Sequence, residues 1–321
     1  MADFQTSTHR RKWIFTPEQL AEKYKAANQR AIETMDKYGV ALAKVNKDGS
    51  LSYPEIPKES SRPKALTIEE EQSMRVYYET KLQEVCNSFH FPHKIQATAL
   101  IYFKRFYLRW SVMQHEPKNI LLTCIYLACM VEENYVSAEE LGKGISQDPE
   151  LMLTNDLLVC QSLEFDLIVF APYRSIEGFI HGREVPSFGL NGDDDQIQML
   201  KNTAKMEVDK IMLTDAPLLF APGQLALAAL RRANQLHRIL DFDTYLGSTL
   251  SGAHTISELV EFLDAIDSWV RRYKFPSDKE IQHINRKLKS CWGQSSRDKK
   301  SKHESKRSSN EEHNVPSHHE M

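Results

Sequence analysis

Apolar residues in this chain recur at spacings of three and four far more often than they alternate. That is the period of a helix face, not of a strand. The first such stripe is Leu20, Tyr24, Ala27, Ala31 and Met35. It follows Thr16-Pro17-Glu18-Gln19, in which Thr16 can cap, Pro17 suits the first turn and Gln19 completes a capping box. Gly39 supplies a natural stop. Residues 40–66 read as a loop, with Asp48-Gly49 as a turn and three prolines. Met74, Tyr78, Leu82, Val85 and Phe89 predict a second helix before Pro92. Ile95, Ala99, Tyr102, Phe103 and Phe106 predict a third, with Lys104 and Arg105 off the stripe. Pro117 opens a fourth, which contains LLTCIYLACMVEEN (121–134), and shorter helices are expected near 137–144 and 151–164.

After Ala171-Pro172 the pattern starts again. Helices are expected from Tyr173 to Gly182, over about 195–213, from Pro222, from Ile256 to about Tyr273, and around Ile281, Ile284, Leu288 and Cys291. The segment PGQLALAALRRAN begins 105 residues after Pro117 and shares its small-residue character. Strand signals are nearly absent. The fold class is therefore all-α, with two helical domains over 66–170 and 171–274, an internal duplication, an N-terminal helix and linker over 1–65, and a C-terminal helix over 275–293. From Gln294 the chain is too polar to offset its ordering entropy, so 294–321 is expected to be disordered. Within it RDKKSKHESKR carries six basic and two acidic residues and reads either as a nuclear-import patch or as a solvated tail.

Composition narrows the function. A net charge of −3 argues against an electrostatic nucleic-acid binder, so no direct nucleic-acid contact is expected. No apolar run reaches the 18 residues or so of a membrane span, and MADFQTSTHRRKW lacks the apolar core of a signal peptide. The five cysteines have no CxxC spacing and read as reduced, packing thiols of an intracellular chain.

Several apparent chemical sites fail on inspection. KVNKDGSLSYPE places Asn46, Asp48, Gly49 and Glu55 like a calcium loop, but Lys44 stands where the first carboxylate should ligate, and Pro54 and Pro57 oppose an exiting helix. Cys86, His90 and His93 lack a fourth ligand, and Pro92 interrupts the helix that would align them. There is no phosphate loop, HExxH or nucleophile elbow. The chain reads as a non-catalytic binding protein without cofactor or metal. Small residues Cys124, Ala128 and Cys129 place the fourth helix at a domain centre, and the pair Glu132-Glu133 marks its exit to water, where its end can face a partner.

Four segments carry a resemblance: Met74-Arg75, YFKRFYL (102–108), LACMVEE (127–133) and LEFDL (163–167). Their order and spacing are similar to the cyclin box of the cyclin family. With LTDA (213–216) and the N-terminal KW-FT segment, they resemble its H-type branch in a plant form. The resemblance covers about residues 10–293. It implies two tandem five-helix cyclin folds with extra terminal helices. It also implies a regulatory subunit that binds and allosterically activates a cyclin-dependent kinase of the CDK-activating type, in the nucleus with some in the cytoplasm. That kinase phosphorylates activation loops of other such kinases and, within TFIIH, the C-terminal domain of RNA polymerase II. A RING-type assembly factor and the TFIIH core are the further partners it implies. The first fold of a cyclin grips the kinase αC helix, so that its glutamate pairs with the ATP-orienting lysine.

The resemblance also assigns kinase-binding residues. In cyclins a lysine at the end of the central helix and a glutamate on the fifth helix bond to the kinase. Here Met130 holds the lysine position, Asp156 the glutamate position, and Val131 lies beside Met130. A thioether cannot donate a hydrogen bond, and no basic residue lies between Lys118 and Lys143 to replace it. Lys104 occupies the position of an aspartate that pairs with Arg75 in cell-cycle cyclins, and Lys81 that of a tryptophan in their substrate groove. The docking function of that groove is not expected here. The alternative, a general transcription factor of TFIIB type on promoter DNA, would need a zinc ribbon and a basic face, which cysteine spacing and charge oppose.

Overall fold

The computed structural model describes residues 3–46, 48–53, 63–181, 194–249 and 256–293. The expected disordered tail, 294–321, and Glu55 of the calcium-like loop lie outside the described residues. A short helix α1 (Thr8–Trp13) precedes α2 (Pro17–Tyr38). The first five-helix unit comprises α3 (Ile68–Ser88), α4 (His93–Arg109), α5 (Pro117–Val131), α6 (Ala138–Gly144) and α7 (Glu150–Ser162). The second comprises α8 (Tyr173–His181), α9 (Asp194–Met212), α10 (Pro222–His237), α11 (Phe242–Thr249) and α12 (Ile256–Arg272), and α13 (Asp278–Cys291) follows. Each unit is centred on its third helix: α5 packs on α3, α4 and α7, and α10 on α8, α9 and α12. Both central helices begin with proline, so the duplication inferred from Pro117 and Pro222 is the structural repeat.

Helix starts follow local chemistry. Thr16 and Gln19 form the expected capping box, and the same S/T-x-x-E arrangement starts α3 at Thr67, α6 at Ser137 and α13 at Ser277. Gly39 ends α2 in the left-handed region, φ 81°. Asp48-Gly49 makes the expected turn, and it joins two two-residue strands, Lys44–Val45 and Leu51–Ser52, inside the stretch expected to be loop. Two helices also escaped the apolar pattern: α1, which is too short for a stripe, and α11, whose eight residues hold only Phe242, Tyr245 and Leu246 as large apolar side chains.

The largest departure concerns α4, which is buried from Ile95 to Leu108 with no polar face. Lys104 and Arg105, off the stripe, are each 1% exposed. The α2 helix covers one side of α4, and α9 of the second unit also contacts it. A helix enclosed on every side has no solvent stripe to find. Lys104 donates to the Glu79 carboxyl at 2.6 Å, with Asp215 at 3.9 Å. Arg75, the partner of the absent aspartate, pairs instead with Glu71 at 3.7 Å and stacks on Tyr24.

Each end of the chain reaches into the other half. The Phe15 amide donates to Leu218 O and the Tyr24 hydroxyl to Asp215. In return α13 packs on α3: Lys287 pairs with Glu70, and the Trp292 indole donates to Met113 O. The halves also meet at Asp209 on α9, whose carboxylate accepts from Tyr173 (2.5 Å) and Gln96 (3.0 Å) and faces His93 (3.2 Å).

Candidate partner-binding site

The end of α5 is shaped by how the helix stops. Glu133 adopts φ 58°, the Glu133 amide donates to Met130 O, and the Asn134 amide donates to Cys129 O at 2.9 Å. These are the two bonds of a Schellman stop, with glutamate at the left-handed position where glycine is usual. The chain turns away at once, so Met130 is left 43% exposed beside half-buried Val131. The helix before it is buried, including Cys124, Ala128 and Cys129 at 0% exposure. Burial pushes the Cys124 thiol well above its ordinary value and Cys129 up to about 11, so both are packing groups.

The acid pair does not exit to water as a unit. Glu133 is exposed, but the Glu132 side chain is only 7% exposed. Glu132 accepts from the Thr98 hydroxyl at 2.6 Å and forms an ion pair with Lys94, both on α4. Sequence distance hides this contact, because Lys94 lies on α4, well before the stretch from Lys118 to Lys143 that surrounds Met130.

Asp156 is half-buried on α7, which packs directly on α5, and its carboxylate accepts from the neighbouring Leu157 amide. Just beyond α7, Glu164 and Phe165 are consecutive left-handed residues, φ 52° and 57°. A bulky aromatic in that region is a strained outlier. The strain turns Phe165 outward at 61% exposure, with Ile168 at 60%. The segment is held from beneath: Arg105 donates to Asp166 O, Tyr102 donates to Leu167 O, and Lys12 pairs with both Glu164 and Asp166. Burial lowers the Arg105 guanidinium to about 9, and the Trp13 ring covers it at 4.7 Å. Phe165 and Ile168 thus join the apolar surface, and no sequence stripe marks them because neither lies in a helix.

A groove of about 1350 Å³ runs between the two units, lined by Val131, Glu132, Lys94, Ile168, Phe170 and Phe220 among others. Of the three expected site residues, Val131 lines it, whereas Met130 and Asp156 do not. No group of three or more His, Cys, Asp or Glu side chains is placed to hold a metal among the described residues. Cys86, His90 and His93 are therefore not assembled into a ligand set.

Two tandem five-helix domains with an exposed rim on the first define a helical binding protein of cyclin architecture. The sequence matches the family description "Cyclin, N-terminal domain" over residues 53–168 and "Cyclin C-terminal domain" over 171–292. It is 58% identical over 313 residues to Cyclin-H1-1 of Arabidopsis thaliana, covering 94% of this chain and 92% of that protein. The chain belongs to the cyclin family, in its H-type branch. Its fold is similar to a chain of the CAK complex of Chaetomium thermophilum bound to ATP-gamma-S, with TM-score 0.75, 22% identity and coverage of 99% and 98%. It is also similar to a chain of the yeast TFIIK (Kin28/Ccl1/Tfb3) complex, with TM-score 0.65, 24% identity and coverage of 83% and 100%. At those identities the two structures speak for the fold.

Proposed function

We propose that this chain is the regulatory, non-catalytic subunit of a cyclin-dependent kinase of the CDK-activating type. In this reading it supports activation-loop phosphorylation of other such kinases and phosphorylation of the RNA polymerase II C-terminal domain. The observation that carries the reading is the H-type cyclin relationship, which extends across both domains at 58% identity. It favours a kinase partner over the TFIIB-type alternative. Met130, Val131 and Asp156 belong to the kinase-facing rim, and Phe165 and Ile168 extend it with apolar surface. Docking of the kinase αC helix there holds its glutamate against the ATP-orienting lysine, so the cyclin contributes position and the kinase contributes the chemistry. A RING-type assembly factor and the TFIIH core complete the proposed partner set, with the nucleus as the proposed site of action; the similar yeast complex holds a third component, Tfb3, beside Kin28 and Ccl1.

The test is co-purification of the full chain with a CDK-activating kinase and assay on a polymerase repeat peptide. Stable association with a rise in peptide phosphorylation is expected. A purified pair that neither associates nor shows activation overturns the proposal. Binding to promoter DNA without kinase binding would favour the alternative.

A further inference from the structure

The α5 helix has no basic residue in its last turn, and its C-terminal carbonyls carry the negative end of the helix dipole. The exposed Met130 there offers no donor. A cation nevertheless reaches this end of the helix from elsewhere in the fold. Lys94, in the first turn of α4, pairs with Glu132, the residue that caps α5.

Lys94 is poorly placed for the helix that carries it. The start of α4 has no acidic residue and no side-chain cap, and a cation at the positive end of a helix dipole costs stability. Its neighbour His93 resolves the same difficulty by facing Asp209 of the second unit. Lys94 resolves it through Glu132. The two partners differ sharply in environment: the Lys94 side chain is 62% exposed, whereas that of Glu132 is 7% exposed and also holds Thr98. A buried, doubly bonded carboxylate therefore fixes the direction of an outward ammonium. One of the three N–H donors of Lys94 goes to Glu132, leaving two for an incoming group. Lys94, Val131 and Glu132 line the same groove.

We infer that Lys94, oriented by Glu132, is the charged recognition residue of the kinase-facing rim, donating to acceptors on the partner helix in place of the donor that Met130 lacks. The inference rests on the regulatory-subunit reading above. In it Lys94 touches the partner and Glu132 is a positioning residue.

The experiment measures the affinity of the full chain for the purified kinase subunit in four forms: wild type, Lys94→Ala, Lys94→Arg, and Lys94→Ala combined with Met130→Lys. Thermal unfolding is followed for each. Lys94→Ala is expected to weaken binding about tenfold or more, as loss of a charge-assisted hydrogen bond does. Lys94→Arg should bind within about threefold of wild type, and Met130→Lys should restore most of the loss by supplying the donor from α5 itself. Equal binding by Lys94→Ala overturns the inference while leaving the kinase reading intact. So does a loss that Met130→Lys fails to restore, or one that tracks a lowered melting temperature. A wild-type chain that does not bind the kinase overturns the earlier reading, and the inference falls with it.

Discussion

Lys104 shows how far a single residue's role depends on its surroundings. In the sequence it breaks an apolar stripe, yet in the fold it is a buried cation held by Glu79 at 2.6 Å. Replacing Glu79 with leucine leaves that cation facing only Asp215 at 3.9 Å. Breaking a buried pair in this way is expected to cost about 3–5 kcal/mol in denaturant unfolding. Glu79 also gives the fold a pH dependence. Burial raises its carboxyl from 4.5 to about 7, against the opposing pull of Lys104. The folded state therefore keeps a proton that the unfolded chain has released. The resulting contribution is complete below about pH 4.5 and is lost as pH rises through about 7. Unfolding free energies of wild type and Glu79→Gln, compared across that window, should diverge with this sign. A constant difference would refute the assignment. None of this was legible in the sequence, because Glu79 and Lys104 lie on different helices and burial follows from α2 and α9 closing over α4.

At the scale of elements, the interior of α5 was legible and its end was not. A run of Cys124, Ala128 and Cys129 amid large apolar residues has one physical meaning: neighbours must come close, and all three are fully buried. Ala128→Leu should therefore overpack the first unit and cost about 1–3 kcal/mol, measured as a lower chemical-denaturation midpoint. Should the midpoint stay unchanged, the close approach of α5 to its neighbours would be in doubt. Three helix starts were readable: Thr16 and Gln19 announce the capping box of α2, and Pro117 and Pro222 open α5 and α10. Helix stops were readable where glycine stands, as at Gly39, and not in the first unit. In the first unit α3, α5, α6 and α7 all end in Schellman bonds, with His90, Glu133, Ser146 and Glu164 at the left-handed position. Without glycine at those places the stop is set by tertiary packing, and local propensity does not reveal it. The rim residues Met130 and Phe165 owe their exposure to two of these stops.

The whole molecule is bound together by its two ends. The α1 helix braces the segment between the units: the Trp13 indole donates to Asp166 at 3.3 Å while its ring covers Arg105, and the Phe170 amide donates to His9. Trp13→Ala removes that cover, and with it a cost of about 3 kcal/mol is expected. Because the linker it braces touches both units, wild type should melt in one transition, and the variant should show the segment around Phe165 exchanging amide hydrogen faster. Unchanged exchange there would argue against the brace. The α13 helix does the reverse service, closing the first unit from the far end of the chain through Lys287 and Glu70. That arrangement has a consequence for biosynthesis. The α3 helix is complete at Ser88 and meets α4 and α5 early, but the side that α13 covers is closed only when Cys291 has been made, 203 residues later. At roughly 5–20 residues per second, the first half waits on the ribosome for roughly 10–40 s before its last wall arrives.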